Sequence, residues 1–168
     1  MSTETLGIYI IPDSGAELPE FSTKGSACFD LSARLWKPVV AYGSQNVRVE
    51  IDCTDGYIDI PCGWRVLIPT GIVMNIPDGF SVRLHSRSGL ALKEGLILAN
   101  AEGIIDSDYT QELMIMLTSI SGGIVTIIDG TRICQGELVR NQLVNLTRDE
   151  FPPQQKTDRI GGFGSTGV

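Results

Sequence analysis

Short runs of alternating apolar and polar residues, each closed by Pro, Gly or Asp, fill most of the chain. Residues 6–11 stop at Pro12, 65–68 at Pro69, and 71–76 at Pro77-Asp78-Gly79, a turn signature. Residues 80–84, 112–119, 123–128 and 132–139 repeat the two-residue period of strands with one buried face. The pattern predicts an all-β sandwich or barrel. It breaks for one short helix, with Ser88 as its cap, residues 89–94 as its body and Gly95 ending it in the left-handed conformation. In the strand that follows Asp129-Gly130, alternation would place Arg132 and Cys134 on one face and Ile133 and Gln135 on the other. Asp55-Gly56 reads as the turn of an extra hairpin in the 34–69 segment. That segment is either a decorated loop or a site for a protein partner.

The alternation ends at Phe151-Pro152-Pro153-Gln154-Gln155. We therefore divide the chain into a β domain, residues 1–150, and an arm, residues 151–168. The arm ends in Arg159-Ile160-Gly161-Gly162-Phe163-Gly164-Ser165-Thr166-Gly167-Val168. Four glycines there cannot hold a helix or pack a core. A guanidinium, a flat ring and two hydroxyls can nevertheless grip a phosphorylated planar ligand. The stretch is either a strap that closes over a nucleotide or a plain disordered tail.

Composition removes several classes of function. The chain has 168 residues and a net charge of −7, which disfavours non-specific nucleic-acid binding. Local arginines or a cation can still create a positive pocket. No apolar run is long enough to cross a bilayer and the first residues carry no signal-peptide pattern, so a cytoplasmic protein is expected. Four cysteines, none in a C-x-x-C pair, and one histidine argue against zinc and disulfide frameworks and for free thiols.

Four internal pieces carry candidate chemistry. In His85-Ser86-Arg87-Ser88-Gly89, a strand meets a helix start whose free N–H groups favour an anion. The alternative is a plain cap beside a solvated arginine. In Asn100-Ala101-Glu102-Gly103-Ile104-Ile105-Asp106-Ser107-Asp108-Tyr109, an ionised Asp106 can deprotonate a water and the Asn100 amide can read a base edge. The same run also reads as an ordinary hairpin with solvated carboxylates. Gln135 can hold a phosphate oxygen or a water. Asp30, inside the apolar run Cys28-Phe29-Asp30-Leu31, needs an arginine or a hydrated cation as partner unless it faces water.

These four pieces and the tail, in this order, resemble the five motifs of the trimeric dUTP pyrophosphatase (dUTPase) family. The resemblance implies a jelly-roll-like fold with one short helix and a flexible glycine-rich C-terminal tail. It implies a homotrimer with active sites shared between chains. It implies hydrolysis of dUTP to dUMP and pyrophosphate, which keeps uracil out of DNA and supplies dUMP for thymidylate synthesis. Mg²⁺ is expected on the triphosphate and waters, with no direct protein ligand and Asp30 at most behind a water. By resemblance, Asp106 activates the water and Tyr109 packs on deoxyribose. Asn100 reads uracil beside the backbone of Gly103, Ile104, Ile105 and Met114. Arg87, Ser88 and Gly89 form the phosphate turn, and Gln135 touches phosphate and water. Asp30 supports, Arg159 clamps the γ-phosphate, Phe163 stacks on uracil, and Gly164, Ser165 and Thr166 close over the phosphates. The chain departs from the family pattern in three places. Cys28-Phe29 replaces the usual Gly-Tyr, Ser86 stands where proline is common, and one residue is missing between Arg159 and Gly161. A dCTP deaminase, alone or bifunctional, has a similar fold and would use Glu102 or Glu112 as proton carrier. A nucleotide-switched binding protein is the reading outside catalysis.

Overall fold

The computed structural model describes residues 4–158. Thirteen strands, one short α-helix and one 3-10 turn, Ser44–Asn46, make up the regular structure of this region. A four-stranded sheet runs β10 (Gly103–Asp106), β8 (Phe80–Ser86), β13 (Arg132–Arg140), β2 (Phe29–Ser32). A five-stranded sheet runs β4 (Arg48–Ile51), β3 (Val39–Tyr42), β6 (Arg65–Pro69), β11 (Met114–Ser119), β9 (Leu96–Leu98). Two pairs complete the fold: β1 (Gly7–Ile10) with β7 (Ile72–Asn75), and β5 (Tyr57–Pro61) with β12 (Ile124–Ile128). All these pairings are antiparallel. This is the expected all-β, jelly-roll-like architecture.

The core follows from the alternation. On β11, Ile115, Leu117 and Ser119 turn inward; on β5, Ile58 and Ile60; on β12, Val125 and Ile127. Each fully buried Ile or Leu contributes on the order of 1.5–3 kcal/mol. Proline and glycine punctuate the strands where the sequence places them. Gly79, at a φ of 80°, completes the turn in which the Phe80 N–H donates to the Pro77 carbonyl. Gly71 has a φ of 70°, and a Cβ there would lie 2.6 Å from Ser14 Oγ, so only glycine fits between β6 and β7.

Three local expectations change. The turn at Asp55-Gly56 exists, with Gly56 at a φ of 75° and its N–H donating to the Cys53 carbonyl. It does not close a hairpin. The strand before it, β4, pairs with β3, while β5 after it crosses to β12. Residues of this segment such as Val39, Ala41, Ile58 and Ile60 are core. The helix α1 (Ser88–Lys93) takes Arg87, not Ser88, as its N-cap, and no side chain caps it. Ser88 is already helical, so its hydroxyl is left free of the capping role. Gly95, at a φ of 63°, ends the turn as expected. Finally, a β-bulge between Arg132 and Cys134 breaks the alternation of β13. Ile133 and Cys134 are both buried, and Arg132 moves to the same side as Gln135.

Candidate active site

Two clusters hold the site residues that fall within residues 4–158. The first forms where β8, β13 and β2 meet. Register places Gln135 opposite both Asp30 and His85. Asp30 Oδ1 accepts from Gln135 Nε2 at 3.2 Å and lies 3.3 Å from Arg87 Nε. Asp30 Oδ2 accepts from Arg132 Nη1 at 2.9 Å and from Ser22 Oγ at 3.1 Å. Arg87 also donates through Nη1 to the Arg132 carbonyl at 2.8 Å. The Asp30 side chain is only 9% exposed. Burial alone would push its carboxyl up, but Ser22, Arg87, Gln135 and Arg132 together outweigh that and hold it below its ordinary value. Asp30 is therefore an ionised post on which two guanidinium groups are hung.

Arg87 sits at the junction of β8 and α1, with Ser88 and Gly89 exposed just beyond it. The first helical bond runs from the Ala91 N–H to the Arg87 carbonyl. The N–H groups of Ser88 and Gly89 precede it and point outward as donors. Arg87 Nε is buried and makes no hydrogen bond among the described residues. A cleft of about 460 Å³ opens beside this cluster, lined in part by Asp30, Arg34 and Arg132. Arg132 was not among the sequence-predicted site residues. The bulge that brings it to Asp30 has no signature in the alternation; the only hint was an arginine placed just after the Asp129-Gly130 turn.

The second cluster is the segment that crosses between the two large sheets. It leaves the β9–β11 edge at Ala99, whose N–H donates to the Met116 carbonyl, and joins β8 at Gly103. Asn100 is exposed in the crossing turn, which Ala101 tightens with a φ of 62°. Gly103 is buried against Leu84: a Cβ there would lie 2.8 Å from Leu84 Cδ1. Ile104 and Asp106 face solvent, and Ile105 is half-buried. Tyr109 folds back, its N–H on the Asp106 carbonyl and its hydroxyl donating to the Glu112 carbonyl at 3.0 Å. Met114 begins β11 on the other sheet.

The two clusters do not converge within one chain. Asp106 pairs with Ser81 at the start of β8, whereas Arg87 follows its last residue. Six residues of strand separate these positions, about 20 Å. Arg159, Phe163, Gly164, Ser165 and Thr166 lie outside the described residues.

A family model described as dUTPase matches residues 53–167. Over 95% of its length the chain is 37% identical to the deoxyuridine 5'-triphosphate nucleotidohydrolase of Finegoldia magna, of which it covers 98%. The chain belongs to the dUTPase family. A second dUTPase relative, from Chlamydia pneumoniae, is 37% identical over 93% of this chain and 94% of its own. Among solved structures, the dUTPase of Staphylococcus bacteriophage 80alpha, determined with dUpNHpp, superposes with a TM-score of 0.76. That match covers 99% of this chain and 100% of the other at 22% identity, which speaks for the fold.

The acids that a deaminase would use are engaged. Glu112 holds Lys37 and the N–H of Gly71, with its side chain 10% exposed. Glu102 faces Arg83 at 3.3 Å and His85 at 3.9 Å. Both acids are thus paired with cationic side chains of the same chain.

Proposed function

We infer that the protein is a dUTP diphosphatase, converting dUTP and water to dUMP and pyrophosphate. The observation that carries this reading at the site is the convergence of Asp30, Arg87 and Gln135. Three segments far apart in sequence meet there to present guanidinium, amide and helix-start N–H groups to a polyphosphate. Family membership supplies the nucleotide.

The roles follow from chemistry. Asp106 takes a proton from water as its oxygen bonds to the α-phosphorus and the bond to the β-phosphate oxygen breaks. Arg87, with Ser88 and Gly89, neutralises charge building on the leaving pyrophosphate. Gln135 orients phosphate or water. Asn100 and the backbone of Gly103, Ile104, Ile105 and Met114 read uracil, so cytosine would leave buried polar groups unpaired. Tyr109 closes the sugar side. Arg159 and Phe163, with Gly164, Ser165 and Thr166, would strap the ligand.

Mg²⁺ supplies charge neutralisation on the triphosphate and fixes its geometry. Both Asp30 oxygens are committed to protein donors, which favours a metal held by phosphate oxygens and waters, with Asp30 reached only through one. A structural Mg(II) ion is described for the phage phi11 dUTPase of S. aureus, which shares 20% identity with this chain.

The assembly we propose is a homotrimer in which Asp106 of one chain works with Arg87 of another. The separation of about 20 Å along β8 exceeds the reach of an arginine side chain roughly threefold. The stretch after β13 points the same way. Leu143, Val144, Leu146 and Phe151 are 68–94% exposed on a single chain, a cost that a neighbouring copy would remove.

The test is a nucleotide panel with pyrophosphate and ammonia both measured. Pyrophosphate should come from dUTP with Mg²⁺ far faster than from dCTP, dTTP or UTP. Asp106→Asn should lose about 10²–10⁴-fold in turnover while still binding the nucleotide. Ammonia from dCTP, or equal rates on all four, would overturn the reading.

A further inference from the structure

The outer face of the four-stranded sheet carries a side-chain cluster that the proposed reaction does not use. Cys28, His85 and Glu137 each present one donor atom, all within 4.8 Å of one another. Register explains the meeting. Gln135 pairs with His85, so Glu137, two residues on, shares the face of His85 on the neighbouring strand. Gly136 pairs with Phe29, so Cys28 comes beside Glu137.

The arrangement around the imidazole has a direction. His85 Nε2 lies 3.4 Å from Glu137 Oε2, and His85 Nδ1 lies 3.9 Å from Glu102 Oε1. Nε2 is buried and makes no hydrogen bond among the described residues. One nitrogen thus turns towards an outer carboxylate, and the other is left unpartnered beside a thiol and a second carboxylate. A histidine that ligates a metal donates from its second nitrogen to such a carboxylate; the 3.9 Å gap to Glu102 must close by about 1 Å to form that bond.

We propose that Cys28, His85 Nε2 and Glu137 form a Zn²⁺ site, oriented by Glu102. Sulfur and nitrogen donors suit Zn²⁺ and disfavour Mg²⁺, which separates this site from the ion on the triphosphate. A tetrahedral Zn²⁺ needs donor separations of about 3.3–3.7 Å, given bonds of about 2.0–2.3 Å. The His85–Glu137 pair already has this spacing, and the other donor separations are at most 4.8 Å. Three protein ligands leave the fourth position to water. Burial, with Glu137 and Asp30 nearby, pushes the Cys28 thiol up, so the free site holds a thiol and metal binding releases its proton to solvent. The bound ion would tie β8 and β13 to the residue preceding β2, next to the Asp30–Gln135 pair.

The experiment is a Co²⁺ titration of the full chain in its native assembly. A thiolate-to-cobalt charge-transfer band should appear in the near ultraviolet, saturate at one ion per chain and be bleached by Zn²⁺. Cys28→Ser and Cys28→Gly should each abolish the band, while Cys62→Ala, which removes the exposed thiol, should keep it. Using both variants of Cys28, one keeping a side chain of nearly the same size and one removing it, guards against loss of fold. His85→Gln should weaken Co²⁺ binding at least about tenfold, and Glu102→Gln, acting through the ring, by about tenfold with the band retained. No band in the folded wild-type protein, or a band of wild-type strength in Cys28→Ser, overturns the proposal.

Discussion

Asp30 shows how one side chain organises a site. It lies in an apolar strand with both oxygens committed, to Arg87 and Gln135 on one and to Arg132 and Ser22 on the other. Because it titrates lower in the folded chain than its ordinary 3.8, the stability it contributes is fully present above the unfolded value. That stability is lost as pH falls through the folded value. Asp30→Asn should therefore be less stable than wild type at neutral pH, and the gap should shrink from about pH 5 downward. Urea unfolding followed by tryptophan fluorescence from neutral to acid pH measures it; a constant gap would refute the account. A partner for Asp30 was one of two readings open in the sequence, the other being an edge-strand carboxylate facing water. Arg132 was not legible as that partner, because strict alternation put it with Cys134. The bulge turned Cys134 inward, where burial pushes its thiol up to about 12.

At the level of elements, strand positions were readable and strand partners were not. Prolines close β6 and β7 and Gly79 precedes β8, because proline removes a donor and glycine admits a positive φ, and both effects are local. Pairing is not local. β5 finds β12, so that Thr126 donates to Asp59 across 67 residues, and no periodicity within either run encodes that choice. The β13–β2 contact is the pairing most sensitive to a single methyl group. A Cβ at Gly136 would lie 2.5 Å from Phe29 Cε2 and 2.6 Å from Cζ. Phe29 cannot easily yield, being 4% exposed and packed edge-on against Phe21 at 5.8 Å. Gly136→Ala should cost about 1–3 kcal/mol, which for a domain of this size lowers Tm by roughly 2–4 °C per kcal/mol. Adding Phe29→Leu should recover part of the loss, a coupling that calorimetry of both single variants and the double variant would read. A Gly136→Ala loss below about 0.5 kcal/mol would mean that the strands separate without strain.

For the whole molecule the decisive fact is a distance. Asp106 and Arg87 stand at opposite ends of β8, and no side-chain motion within one chain joins them. The motifs of the sequence name the residues of both clusters except Arg132 and Ser22, yet nothing in their order reveals that the clusters lie about 20 Å apart on one chain. That follows only once register is known. If sites are shared between copies, two inactive variants should repair each other. Asp106→Asn keeps a sound phosphate turn, and Arg87→Ala keeps a sound Asp106. Each alone lacks one half at every site. Unfolded together and refolded at equal amounts, they form mixed assemblies in which some sites draw Asp106 from one variant and Arg87 from the other. Random assortment should restore about a quarter of the wild-type activity per site. Mixing the folded variants without exchange should restore none, which controls for residual activity. Failure of the refolded mixture, with mixed assemblies verified by mass, would place both halves of the site within one chain and remove the reason for assembly.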